Sequence, residues 1–136
     1  MVHVNFASVL VQTFAIFVLG WLYYSPLLFY KPWMRARGLD PATAMQGQKM
    51  PGGKLLLEFV RCLVLAYIVT GLLTFLGVTR LVIAVHTGIM LWIAFPVVLL
   101  VGSAMWENVP KKVVAIHAGD WLVKLIIVPI IATMWR

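Results

Sequence analysis

Apolar residues in this chain fall into four long blocks separated by short polar breaks. A membrane-spanning helix needs about 20 consecutive, mostly apolar residues, and each block reaches that size. The first runs from about Phe6 to Phe29, the second from Leu55 to Leu76, the third from Leu81 to Met105 and the fourth from Val113 to Trp135. Ser25-Pro26 is expected to end or kink the first helix, because proline disfavours helix in the residue before it. Gly77-Val78-Thr79-Arg80 predicts a tight hairpin, with Gly77 as C-cap and Thr79 as N-cap. Pro110, after Asn108-Val109, is placed near the first position of the fourth helix. Residues 30–54 form the one long connection, and its Pro41, Gly47, Pro51, Gly52 and Gly53 argue against a continuous helix.

Composition supports the same architecture. Of 136 residues, 63% are hydrophobic and 11% are charged, against about 45–50% and about 25% in soluble domains. The expected fold class is all-α, a single polytopic membrane domain of four transmembrane helices. The start, Met1-Val2-His3-Val4-Asn5, lacks a basic region, and the first block is too long for a signal core, so no cleavable signal peptide is expected. The lone Cys62 allows no internal disulfide.

The net charge of +7 changes the picture through its distribution. Lys31, Arg35, Arg37, Lys49 and Lys54 lie in the first connection and Lys111 and Lys112 in the third, whereas Arg80 and Arg136 lie on the opposite side. The positive-inside bias therefore puts the first and third connections in the cytoplasm and both termini on the extracytoplasmic side. Basic residues gathered this way point to topology and anionic lipid rather than to nucleic acid. Trp21, Tyr24 and Trp33, with Arg35 and Arg37, are the expected contacts with lipid at the membrane interface.

Candidate chemistry concentrates in the fourth block. His117, Asp120 and Lys124 stand at i, i+3 and i+7, one face of a helix, and Asp120–Lys124 is an i,i+4 pair with the acid first. Asp and Lys each cost roughly 2.5–3.5 kcal/mol at the centre of an inserted helix, while an aliphatic residue returns roughly 0.3–0.6. The eleven Leu, Ile and Val residues of that block only about cancel its two charges. It should insert with its charges turned toward other helices. The second block carries Glu58 and Arg61 at i and i+3, runs parallel to the fourth, and reaches matching depth at about 1.5 Å per residue. A cluster of Glu58, Arg61, His117, Asp120 and Lys124 is therefore expected on the cytoplasmic side, with Lys124 near the midplane. Such groups either fix helix register or mark a pathway.

Ala84-Val85-His86-Thr87-Gly88 echoes Ala115-Ile116-His117-Ala118-Gly119, which an inverted duplication or chance would explain. Ala84/Gly88 and Ala115/Gly119 are small-xxx-small pairs that let backbones approach closely, and Ala66, Thr70 and Thr74 make a similar ridge. His86 and His117 enter from opposite faces of a core about 30 Å thick, too far apart to share a metal; no metal and no cofactor is expected. Gln12 is an expected interhelical hydrogen bonder. No phosphate loop, HExxH, paired-cysteine or nucleophile-elbow pattern appears, so soluble-type catalysis has no visible machinery.

The stretch Trp21-Leu22-Tyr23-Tyr24-Ser25-Pro26-Leu27-Leu28-Phe29, followed by Trp33 and preceded by Asn5-Phe6, resembles the uncharacterised prokaryotic membrane family known as domain of unknown function 1761. His117, Gly119 and Asp120 add to the resemblance, which spans the whole chain. It implies a prokaryotic cell-membrane protein with four spans and transfers no activity and no catalytic residue. Three functions stay open. One is a transporter or permease-like unit, homo-oligomeric and most simply a dimer, that handles a proton or a small charged solute. Another is an accessory protein whose polar stripe docks a partner membrane protein. The third is a lipid-binding protein or intramembrane enzyme.

Overall fold

The computed structural model describes residues 3–45 and 52–136. Gly47, Lys49 and Pro51, assigned above to the long connection, lie outside the described residues. The described chain is all-α, and four of its helices are long and apolar enough to cross a membrane. Helix α1 spans Phe6–Tyr23, α4 spans Gly52–Phe75 and α7 spans Lys111–Met134. The third span is a composite of α5 (Leu81–Trp92), a π-helical turn (Ile93–Val97) and α6 (Val98–Trp106). Two short helices, α2 (Tyr30–Ala36) and α3 (Pro41–Met45), lie in the long connection.

The first helix is shorter than its apolar block. Asn5 caps it, its Oδ1 accepting from the Ala7 and Ser8 amides at 3.1 and 3.2 Å. At the other end regular helix stops at Tyr23, and residues 24–29 turn back into α2. A carbonyl released near Pro26 is a potential ligand, but the turn uses it. The Ser25 amide and hydroxyl both donate to the Leu22 carbonyl, at 3.1 and 2.6 Å.

Two further boundaries correct the sequence reading. Helix α4 begins at Gly52, so Gly52, Gly53 and Lys54 form its first turn. Glycine costs about 1 kcal/mol in a helix, which the long apolar run behind it outweighs. Gly77 does terminate α4, at φ +64, with Val78 N donating to Leu73 O and Gly77 N to Thr74 O, the paired bonds of a Schellman cap. The next helix, however, starts after Arg80 and not Thr79, without a side-chain cap. Pro110 is the N-cap residue of α7, near the first helical position as expected, and Asn108 two residues before it takes φ +56, a left-handed conformation that Asn tolerates.

Proline also breaks the third span. Pro96 has no N–H and would crowd the carbonyl four residues back, and the π-helical turn around it absorbs the misfit. Pro129 sits within α7 without interrupting it. It withholds the helical donor from the Leu125 carbonyl, and the bare backbone of Gly88 packs against that oxygen. Ala84 and Gly88 are both buried there, so this small-residue pair joins α5 to α7. The second pair does not act as a pair: Ala115 is exposed, whereas Gly119 faces the Tyr23 hydroxyl.

Helix α7 is the hub. It packs against α1, α4 and α5–α6, and α1 also packs along α4. Side chains tie neighbours to its backbone: Tyr23 Oη donates to Ile116 O at 2.7 Å and Trp92 Nε1 to Ala118 O at 2.8 Å. Away from α2, the interior between α1, α4 and α7 is closed. Ile16, Ala66 and Val128 are fully buried there. A polar stitch runs through this core, with Thr70 Oγ1 donating to Gln12 Oε1 at 2.8 Å and Gln12 Nε2 to Ser8 Oγ at 3.0 Å. The expected interhelical bond of Gln12 is thereby met; of the Ala66, Thr70 and Thr74 ridge, Ala66 and Thr70 are buried, and Thr74 bonds back to the Thr70 carbonyl.

Candidate functional site

The α2 side of the bundle is open. A cavity of about 530 Å³ lies among the end of α1, helix α2, and the N-terminal parts of α4 and α7. All five residues of the sequence-predicted cluster line it, as do Trp21, Tyr24 and Trp33.

Four of the five form a chain of ion pairs. Lys124 Nζ lies 2.9 Å from Asp120 Oδ2 and 3.4 Å from Glu58 Oε1, and Arg61 completes the chain through a short bond to Glu58 Oε2. The parallel α4 and α7 thus neutralise one another's charges. One detail differs from expectation: the Lys124 charge does not stay near the midplane level of its Cα. Side chains on a helix lean toward its N-terminus, which brings the ammonium back about one turn to the level of Asp120. Arg61 does not reach Asp120; it is paired within α4, and its side chain is 57% exposed.

Burial grades along the chain. The Lys124 and Asp120 side chains are 6% and 9% exposed, whereas Glu58 is 35% exposed. Gly20 of α1 covers the buried pair. A Cβ at Gly20 would stand 3.5 Å from Lys124 Cε and 3.8 Å from Asp120 Oδ1, in ordinary van der Waals contact with the pair. Lys54 adds a third cation to the lining, which holds three cations against two carboxylates.

His117 shares the cavity but not the ion chain. Its Nδ1 makes a short hydrogen bond with Tyr24 Oη, and its ring packs against Tyr24 and edge-on to Trp33. Trp33 Nε1 is buried and has no hydrogen-bond partner among the described residues. Arg37 stacks its guanidinium over the Trp33 ring at 5.0 Å. Arg35 and Arg37 are exposed and do not line the cavity, whereas Tyr24 and Trp33 are half-buried within it. The expected interface group therefore divides between a basic rim and an aromatic wall.

Sequence reasoning missed Gly20 and the cavity-lining role of Lys54. Gly20 lies in an unremarkable apolar run, and its place over the ion pair appears only once α1 is laid on α7. The His86 echo is not mirrored in packing: His86 is exposed, whereas His117 is held by Tyr24. Among the described residues no three His, Cys, Asp or Glu side chains come together as a metal site.

The arrangement presents ion-paired carboxylate, ammonium and guanidinium groups to an open cavity between helices. No curated protein and no solved structure matches the chain. A family model matches residues 7–133, nearly the whole sequence. The chain belongs to the family described as protein of unknown function (DUF1761) and carries four helices fit to span a membrane.

Proposed function

We propose that the protein is a small transporter or permease-like unit that takes a proton or a small charged solute from one side of the membrane. The observation that carries this reading is the open face of the charged cluster. Ion pairs that only fix helix register are best sealed among aliphatic side chains, away from competing water. Here the chain Arg61–Glu58–Lys124–Asp120 borders a cavity of about 530 Å³. Intramembrane ionisable groups beside a cavity are typical of solute pathways and proton relays.

The packed interior between α1, α4 and α7 supports a one-sided state. Beyond Lys124, the Gln12–Thr70 stitch and the buried Ile16, Ala66 and Val128 close that interior, while a groove between α4 and the third span stays open. Movement of solute would need that packing to part. By the distribution of Lys and Arg the open side is cytoplasmic. Single cysteines placed at Arg35 and Lys112 should then react with an impermeant thiol reagent only from the cytoplasmic side.

The direct test is flux in proteoliposomes over a panel of small ions and an imposed proton gradient. Uptake or proton movement that disappears in Asp120→Asn, with the variant still folded, is the expected result. No flux for any solute or for protons would end the proposal.

A further inference from the structure

A second cavity lies directly behind the first. It has a volume of about 620 Å³ and is lined by apolar residues of α4, the kinked third span and α7. Trp121 borders both cavities, and Lys124 and Leu125, adjacent in sequence, border one each.

The continuity is clearest on α4. Lys54, Glu58 and Arg61 line the charged cavity, and Leu65, Ile68 and Leu72 line the apolar one. These positions are separated by four, three, four, three and four residues, the spacing of a single helix face. That face is polar for its first two turns and apolar for the next two. No helix covers it. Ile68 is 60% exposed, and α5–α6 packs on α7 rather than across α4. The turn at Pro96 forms the opposite wall of the groove.

We infer that the two cavities are one site for an amphiphile with a small anionic head. This deepens the proposed function, because it rests on the charged cavity being a solute site. The head sits where three cations face two carboxylates, with the exposed guanidinium of Arg61 nearest the junction. The chain lies along Leu65, Ile68 and Leu72 toward Leu91 and Phe95. Lipid tails are as apolar as leucine, so the groove contributes little net affinity from a bilayer and selects by shape. The charged head supplies most of the preference over neutral lipid.

The test is native mass spectrometry of the full chain in neutral detergent, titrated with oleoyl lysophosphatidic acid. Oleoyl lysophosphatidylcholine and inorganic phosphate serve as controls. One lysophosphatidic acid should bind per chain, about tenfold tighter than the choline lipid. Arg61→Gln should remove most of that margin. Ile68→Trp, which fills the groove from an exposed position, should weaken lysophosphatidic acid binding and leave phosphate binding unchanged. Leu72→Phe is the smaller filling if Ile68→Trp lowers the melting temperature.

Equal binding of the two lysolipids overturns the inference. So does binding indifferent to both groove variants. If Ile68→Trp converts a dimer to monomers and leaves lipid binding intact, the groove belongs to a second copy of the chain. Solute flux with no detectable amphiphile binding would remove this inference and leave the transport proposal standing. Amphiphile binding with no flux would do the reverse.

Discussion

Replacing Lys124 by methionine removes the ammonium while keeping most of the side-chain volume. In the native structure that ammonium is 6% exposed and holds Asp120 at 2.9 Å and Glu58 at 3.4 Å. Glu58 keeps Arg61 as a partner, so the burden falls on Asp120, whose side chain is 9% exposed. Removing one member of a buried pair costs about 3–5 kcal/mol, because the other charge is left uncompensated. Asp120 borders a cavity that can admit water, which puts the expected loss near the lower end, about 3 kcal/mol. Asp120→Asn/Lys124→Met removes both charges, and replacing a whole buried pair by neutral groups is often harmless. The double variant should therefore regain most of the loss, with a coupling of about 2 kcal/mol. Unfolding in neutral detergent, followed by tryptophan fluorescence, measures all four proteins of the cycle. If Lys124→Met keeps native stability, or if the two single effects simply add, the buried pair has been misjudged. The same cycle separates structure from function: a stable double variant without flux means that the charges work as well as fit.

Other consequences can be checked alongside. Gly88→Ala should lower stability by about 1–3 kcal/mol, because a Cβ there overlaps the Leu125 carbonyl, whereas Gly102→Ala, with nothing within 4 Å, should be neutral or slightly stabilising; thermal melts of the two compare them directly. Thr70→Val should cost about 1–3 kcal/mol by leaving Gln12 Oε1 without its donor, and pairing it with Gln12→Leu should recover part of the loss in the same melts. Asp40 accepts from the Thr43 hydroxyl and the Ala42 amide, and these bonds hold its carboxyl below the usual range. The stabilisation it gives the start of α3 is present above the unfolded value of about pH 4 and disappears as pH falls through the depressed folded value. Carboxyl NMR should show Asp40 titrating low, and Thr43→Ala should move it up.

The spans were legible because lipid imposes one requirement on every residue of a crossing helix. The charged cluster was legible because helix spacing and direction fix which residues share a face and a depth. What escaped depends on contacts between elements. Pro96 and Pro129 are visible as letters, but one produces a π-helical turn and the other is absorbed. The difference lies in the neighbour, since Gly88 lets α5 approach the carbonyl released by Pro129. His117 lies on the predicted stripe, yet its hydrogen-bond partner is Tyr24, 93 positions earlier, brought over by the turn that follows α1. Lys124 was placed by its Cα, whereas the charge acts where the end of its long side chain lies.

The central position of α7 has a consequence for biogenesis. A ribosome releases α1 and α4 first, and they can pair at once through Phe14, Phe17 and Phe59 and through the Gln12–Thr70 bond. The third span then enters the membrane with its main docking surface not yet synthesised. That surface arrives last, on the helix least able to enter lipid alone. Insertion of the final segment and assembly of the bundle are therefore expected to be a single event, with Glu58 already in place to pair with Lys124. A nascent chain arrested before Lys124 would hold a paired α1–α4 and an unattached third span, the kind of intermediate that membrane quality control degrades.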